Sequence, residues 1–287
     1  MTSNLYLPIF VFLFFGVIAE YSDDFSRNVM FPLAVAAFDK NPGVCIKSGT
    51  GDGLLRRQIE LPCDVINETC SGYSAFSSSK NAIILGWRGS VGTYEVDLET
   101  IDILFGKQLT FPGGSKVADF FYNAFLKLWN AGIKDDYLTL RQQNPNAEVW
   151  VTGHSLGAAM SALCAGYLAQ LGLADGNKIK LITYGEPRNG DKDYATLINT
   201  KIPYSYRVVH DSDIVPHIPF NIENYEHHGT EIWYQNKMNV NDKYTVCKGN
   251  EDKSCSKSVT PDQWNWDAHG FYYGTNIGQF ENRGCVF

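Results

Sequence analysis

The run Gly153-His154-Ser155-Leu156-Gly157 is where the residue types and their spacing point most directly to chemistry. Glu148-Val149-Trp150-Val151-Thr152 before it reads as a short buried strand, and Leu156 to Leu171 after it as a helix of small residues. A nucleophilic serine on a strand-to-helix turn needs small residues two positions to either side, because the chain turns sharply and helix and strand approach closely. Gly153 and Gly157 meet that need. Ser155 would then stand at a helix N-terminus, where free N–H groups and the helix dipole favour a developing oxyanion; Leu156 N–H is the first of those donors. A bare Gly-x-Ser-x-Gly is a weak signal, and here the flanking strand and helix strengthen it.

An alcohol is a weak nucleophile, so it needs a base, and the base needs a carboxylate to orient it. In sheets of this kind the chain order is serine, acid, histidine. The strand Tyr206 to His210 runs into Asp211-Ser212-Asp213-Ile214-Val215-Pro216, which puts Asp213 just past a strand end, with Asp211 as its rival. His154 and His210 precede that acid. His217 shares its loop and reads as a structural or surface residue. His227 and His228 are adjacent, so on extended chain they point to opposite faces and cannot share a site. His269, in a late loop before the aromatic run Phe271-Tyr272-Tyr273, is favoured over that pair by its position.

The elements around these residues alternate. Gly72 to Ser77 and Ala82 to Trp87 read as two strands about the turn Ser78 to Asn81, and Lys180 to Tyr184 as another buried strand. Val117, Phe120, Phe121, Ala124, Phe125 and Leu128 fall at helical spacing, and Ile133 to Gln143 reads as a second helix stopped by Asn144-Pro145. Strands interleaved with helices predict an α/β fold with a mostly parallel central sheet flanked by helices. No repeat or linker divides it, so residues 20–287 read as a single domain. Residues 1–19 carry no charged side chain and end in Val17-Ile18-Ala19, which predicts a cleaved signal peptide and a secreted, extracellular product. Seven cysteines agree with an oxidising compartment, and Asn67-Glu68-Thr69 is a glycosylation sequon.

Composition excludes other classes. With 44% apolar and 19% charged residues, the chain is neither disordered nor a coiled coil. A net charge of −7 without a basic run argues against nucleic-acid binding. There is no Cys-x-x-Cys, His-Glu-x-x-His or phosphate loop, so no metal and no cofactor is expected. Gly49-Thr50-Gly51-Asp52-Gly53 reads as a flexible turn. Trp264, Trp266, Phe271, Tyr272 and Tyr273 suit packing better than an acyl pocket.

Four motifs in order carry a resemblance: Gly86-Trp87-Arg88-Gly89-Ser90, the turn at Gly153 to Gly157, Thr183-Tyr184-Gly185-Glu186-Pro187-Arg188, and Asp213-Ile214-Val215-Pro216. Over residues 45–285 the chain resembles the class 3 (fungal-type) lipases, which are α/β-hydrolases. The resemblance implies Ser155 as nucleophile, Asp213 as acid, His269 as base, and Ser90 beside Leu156 N–H in the oxyanion hole. It also suggests the disulfides Cys45–Cys285, Cys63–Cys70 and Cys247–Cys255, leaving Cys164 as a small buried apolar residue. The family's lid falls here on Val91 to Val96, before Asp97-Leu98; its apolar face is interrupted by Gly92 and Glu95, which predicts modest interfacial activation.

Together these readings predict a secreted serine carboxylester hydrolase acting on acylglycerol-type esters, with an ester or lipid substrate that can be met at a lipid–water interface. No stable protein partner is implied. Two other readings share the architecture: a feruloyl-type esterase, and a catalytically inactive lipase-like lipid-binding protein. The intact Ser155, Asp213 and His269 argue against the second.

Overall fold

The computed structural model describes residues 20–63, 69–88, 104–220 and 224–287. Residues 1–19, read above as a signal peptide, and Asn67 of the sequon lie outside them. β1 (Leu54–Pro62), β2 (Thr69–Ser77) and β3 (Ala82–Arg88) follow one another as an antiparallel meander. A small hairpin of β4 (Gln108–Thr110) and β5 (Lys116–Ala118) stands apart. The chain then adds β6 (Glu148–His154), β7 (Ile179–Tyr184), β8 (Tyr204–His210), β9 (Thr230–Tyr234) and β10 (Thr245–Val246). One eight-stranded sheet results, in the order β1-β2-β3-β6-β7-β8-β9-β10. From β3 through β9 every pairing is parallel; β10 returns antiparallel.

All seven residues of β3 and all seven of β8 are buried. Strands covered on both faces read as continuous apolar runs, as Ala82-Ile83-Ile84-Leu85-Gly86-Trp87 does. Two apolar cores do the covering. On one face lie the helices Asp119–Leu128, Lys134–Gln143, Leu156–Gln170 and Lys192–Lys201. On the other lie the N-terminal helical segment ending in Phe31–Ala36, the helix Gly43–Thr50 and the C-terminal helix Ile277–Asn282. Leu156–Gln170 is apolar all round because it is buried all round, wedged between the sheet and its neighbouring helices. None of the described helices is long and apolar enough to cross a membrane.

Cys45–Cys285 joins the helix Gly43–Thr50 to the end of the chain. Cys63–Cys70 links the end of β1 to the start of β2, and Cys247–Cys255 closes a loop after β10. Cys164 is free and buried.

The structure departs from the sequence reading in a few elements. Val117 continues the helical stripe by spacing, yet it lies in β5, and the helix starts two residues later at Asp119. Its apolar side chain fills the same core from a strand, which spacing alone cannot distinguish. Gly49 and Thr50 are the last helical residues before Gly51, so the turn is only Gly51 to Gly53, and Asp52 ties it to Ser77 and Ser79. Ile133 belongs to a wider π-type turn, Trp129–Ile133, that runs directly into Lys134–Gln143.

Candidate active site

β6 extends through Gly153 and His154, and Ser155 follows as the N-cap of the helix Leu156–Gln170. Ser155 has φ 60° and ψ −129°, a left-handed conformation that costs a non-glycine residue about 1–3 kcal/mol. The turn is held from two sides. Ser155 N–H donates to Tyr184 C=O at 2.9 Å, and the helix packs so closely on β3 that a Cβ on Gly157 would sit 2.2 Å from Trp87 O. Leu156 opens the helix, so its N–H has no intrahelical acceptor.

The strained turn presents Ser155 Oγ to His269 Nε2 at 2.8 Å. On the other edge of the same ring, His269 Nδ1–H donates to Asp213 Oδ2 at 2.9 Å. Asp213 follows the end of β8 and is fully buried. Its Oδ1 accepts from Val215 N–H at 2.9 Å, and its Oδ2 takes a further hydrogen bond from the Tyr272 hydroxyl at 3.2 Å. Burial pushes the Asp213 carboxyl up, but the adjacent His269 and the Val215 N–H outweigh it and hold the group below its ordinary range. A buried carboxylate that stays ionised is suited to orienting an imidazole and to stabilising it when it takes a proton.

His269 ends a four-residue helix, Trp266–His269, rather than lying in open loop. Asn265 caps that helix from the Asp267 N–H, and Asn265 N–H is tied to Ser212 C=O at 2.9 Å, so the turn is strung beside Asp213. Asp211, the rival acid, is exposed at a positive φ of 46°, and its C=O accepts from Trp233 Nε1.

The remaining histidines go elsewhere. His227 Nε2–H donates to Pro216 C=O at 2.7 Å, while His228 Nε2 bonds Glu186 Oε1 at 2.9 Å, so the adjacent pair does face different partners. His217 is buried and stacked on Trp264 with ring centres 4.7 Å apart; burial and the nearby Arg188 charge push it down to about 4. The His154 ring packs against the His269 ring, with centres 4.4 Å apart and planes tilted by 32°.

Several functional contacts have no signal in the local sequence. Tyr272 was visible only as one of an aromatic run, yet it alone of the three reaches Asp213. Tyr273 turns away to Ser26, whose Oγ lies 2.7 Å from its hydroxyl. Trp264 stacks between His217 and Phe220, and Trp266 stands edge-on to His269. Gly185, with φ 55°, lies directly beside the His269 ring. Arg188 donates through Nε and Nη2 to both oxygens of Glu251 and through Nη1 to His217 C=O and Pro219 C=O, clamping the chain that follows Asp213. A positive φ or a long-range clamp is legible only when the partner is known. Ser90 and the stretch Val91 to Leu98 lie outside the described residues.

With this geometry in view, the likenesses to other proteins become informative. The Lipase (class 3) family profile matches residues 84–223. A Caenorhabditis elegans lipase is 31% identical over 300 residues, covering 93% of this chain and 83% of the relative. A secreted mono- and diacylglycerol lipase of Fusarium solani is 30% identical over 58% of this chain and 48% of its own. Among solved structures, a triacylglycerol lipase described as having a serine-protease triad as its catalytic centre superposes with a TM-score of 0.72. It shares 25% identity, over 89% of this chain and 95% of that one.

Proposed function

The chain belongs to the class 3 lipase family and is a carboxylic ester hydrolase; from that premise we propose that it cleaves acylglycerol-type esters through an acyl-enzyme on Ser155. The observation that carries this reading is the unbroken line Ser155 Oγ, His269 Nε2, His269 Nδ1, Asp213 Oδ2, with contacts of 2.8 and 2.9 Å.

In the first step Ser155 Oγ attacks the ester carbonyl carbon while its proton passes to His269 Nε2. The imidazolium so formed is stabilised by Asp213, which remains a carboxylate. The tetrahedral oxyanion accepts from Leu156 N–H, and the family resemblance adds Ser90 on its other side. Collapse expels the alcohol, which takes the proton from His269. Water then enters and adds to the acyl-enzyme carbonyl as His269 takes its proton; collapse breaks the bond to Ser155 Oγ, which recovers the proton from His269 as the acid leaves. Removing one oxyanion donor of this kind costs about 10²–10³ in rate, so the helix start is as much part of the machinery as the triad.

Secretion is part of the same proposal. Three disulfides are stable in an oxidising compartment, and the secreted Fusarium relative is of the same family. The name of that relative supports mono- and diacylglycerols among the substrates, in line with an apolar face at Val91 to Val96 that the sequence interrupts with Gly92 and Glu95.

A fluorophosphonate should modify the protein once, at Ser155, and Ser155→Ala should abolish both labelling and hydrolysis. Labelling that survives the substitution would move the nucleophile elsewhere. A panel of p-nitrophenyl esters from about two to sixteen carbons, run with mono-, di- and triacylglycerols and methyl ferulate, tests the substrate class. Preference for methyl ferulate would overturn the acylglycerol reading.

A further inference from the structure

His269 sits at the end of a helix of one turn, whose last carbonyls have little local support beyond the bond from Gly270 N–H to Ala268 C=O. Two of them, on consecutive residues, are taken up by histidine rings from the sheet. His154 Nε2–H donates to His269 C=O at 2.8 Å, and His210 Nδ1 bonds Ala268 C=O at 3.0 Å. His154 is the last residue of β6 and His210 the last of β8, so the two rings rise from strands on either side of β7. Both residues are buried. The His154 ring also lies against the His269 ring at 4.4 Å, tilted by 32°, and His210 Nε2 lies 3.0 Å from Asn236 C=O.

We infer that His154 and His210 are positioning residues for His269: they fix its backbone by two adjacent carbonyls, and the His154 ring packs against the His269 ring and limits its tilt. Neither touches the reacting atoms. The inference rests on the reading of His269 as the base.

The arrangement has a chemical logic. Ser155 is held on its strained turn by the bond to Tyr184 C=O, and Asp213 is held just beyond the end of β8 by Val215 N–H. The base alone comes from a distant, short element, and an error of 1 Å in its place costs about 10²-fold. Hydrogen bonds from the ends of β6 and β8 refer that element to the same rigid sheet that carries the other two groups. Burial, reinforced by the nearby His269, pushes the His154 imidazole down to about 3. It therefore stays neutral, keeps its single proton on Nε2 for the carbonyl, and does not compete for the proton His269 receives.

The test separates the donor from the ring. His154→Phe keeps a stacking ring and removes the donor; His154→Gln replaces the Nε2 donor and removes the ring. For His210, which uses Nδ1, the matching pair is His210→Phe and His210→Asn. Each enzyme is titrated with fluorophosphonate, so that kcat is expressed per competent site, and is assayed on a soluble short-chain p-nitrophenyl ester. We expect His154→Phe to lose about 10²-fold in kcat with KM within about twofold, and His154→Gln to recover most of that loss. The low-field proton resonance of the His269–Asp213 hydrogen bond should broaden in His154→Phe and return in His154→Gln. Parent kcat per site in His154→Phe, with only thermal stability reduced, overturns the positioning role. Should His154→Phe fail to fold, the His210 pair decides by the same criterion. His269→Ala runs alongside: if it retains parent kcat, the base assignment fails and the positioning role with it. If it is inactive while His154→Phe and His210→Phe are at parent level, the positioning role fails alone.

Discussion

A methyl group on Gly185 would lie 2.8 Å from both Cε1 and Nδ1 of His269, and equally close to Asp213 Oδ2. Gly185 N–H is bonded to Val208 C=O at 3.0 Å, so the backbone cannot retreat without breaking the β7–β8 edge. Its φ of 55° is a conformation that L side chains resist. The space the imidazole occupies is thus kept open by the absence of a side chain on the neighbouring strand end.

Gly185→Ala should displace the imidazole and reduce kcat by about 10²-fold or more, with fluorophosphonate labelling slowed in proportion. The strained φ adds about 1–2 kcal/mol of destabilisation, which leaves the protein folded. A Gly185→Ala enzyme with near-parent kcat would show that the His269 ring has room to move.

Arg188 is predicted to matter for stability through the chain that follows Asp213. It is buried, pairs with both oxygens of Glu251, and holds the carbonyls of His217 and Pro219. Burial pushes the Glu251 carboxyl up, but Arg188 and the other groups around it hold it far below its ordinary range. Arg188→Ala leaves that carboxylate buried without its main partner and should cost about 3–5 kcal/mol in urea unfolding. Arg188→Lys should recover little, because a point charge cannot reproduce the fork. A loss under about 1 kcal/mol for Arg188→Ala would contradict the clamp.

Acid should unfold the protein through its neutral histidines. Burial and then the His269 charge put His154 at about 3; burial and then Arg188 put His217 at about 4. Burial and then Arg207 push His227 well below its ordinary value of 6.5. Folded, these rings stay neutral; unfolded, they protonate near 6.5, so the unfolded chain binds more protons between pH 6.5 and about 4. Their stability contribution is complete above pH 6.5 and is lost as pH falls through that window. Each histidine gives a slope of about 1.4 kcal/mol per pH unit. Urea unfolding between pH 6 and 5 should therefore register uptake of about three protons. A midpoint unchanged from pH 7 to 5 would mean that these rings are already charged in the folded protein.

The strand-to-helix turn at Ser155 was legible because everything that makes it is contiguous: an apolar run, two glycines and a helix of small residues. The sheet was legible for a related reason. Strands buried on both faces must be apolar throughout, and Ala82 to Trp87 shows this without any knowledge of its neighbours. The boundary at Val117 was not legible, since an apolar side chain entering the same core from a strand or from a helix looks alike in sequence.

The base and acid stand at the limit of what order along the chain provides. Chain order narrowed the histidines to four and the acids to two; position favoured His269 and Asp213 among them, and the motif resemblance implied the same pair. That His269 faces Ser155, that Tyr272 rather than Tyr273 reaches Asp213, and that Gly185 leaves the ring its space all depend on packing. So does the hold of His154 and His210 on the carbonyls of His269 and Ala268. These contacts join residues up to 115 positions apart along the chain. Local periodicity reports which face of an element is apolar, and it carries no information about which distant element will meet a strand end. That is set by how two cores close around one sheet.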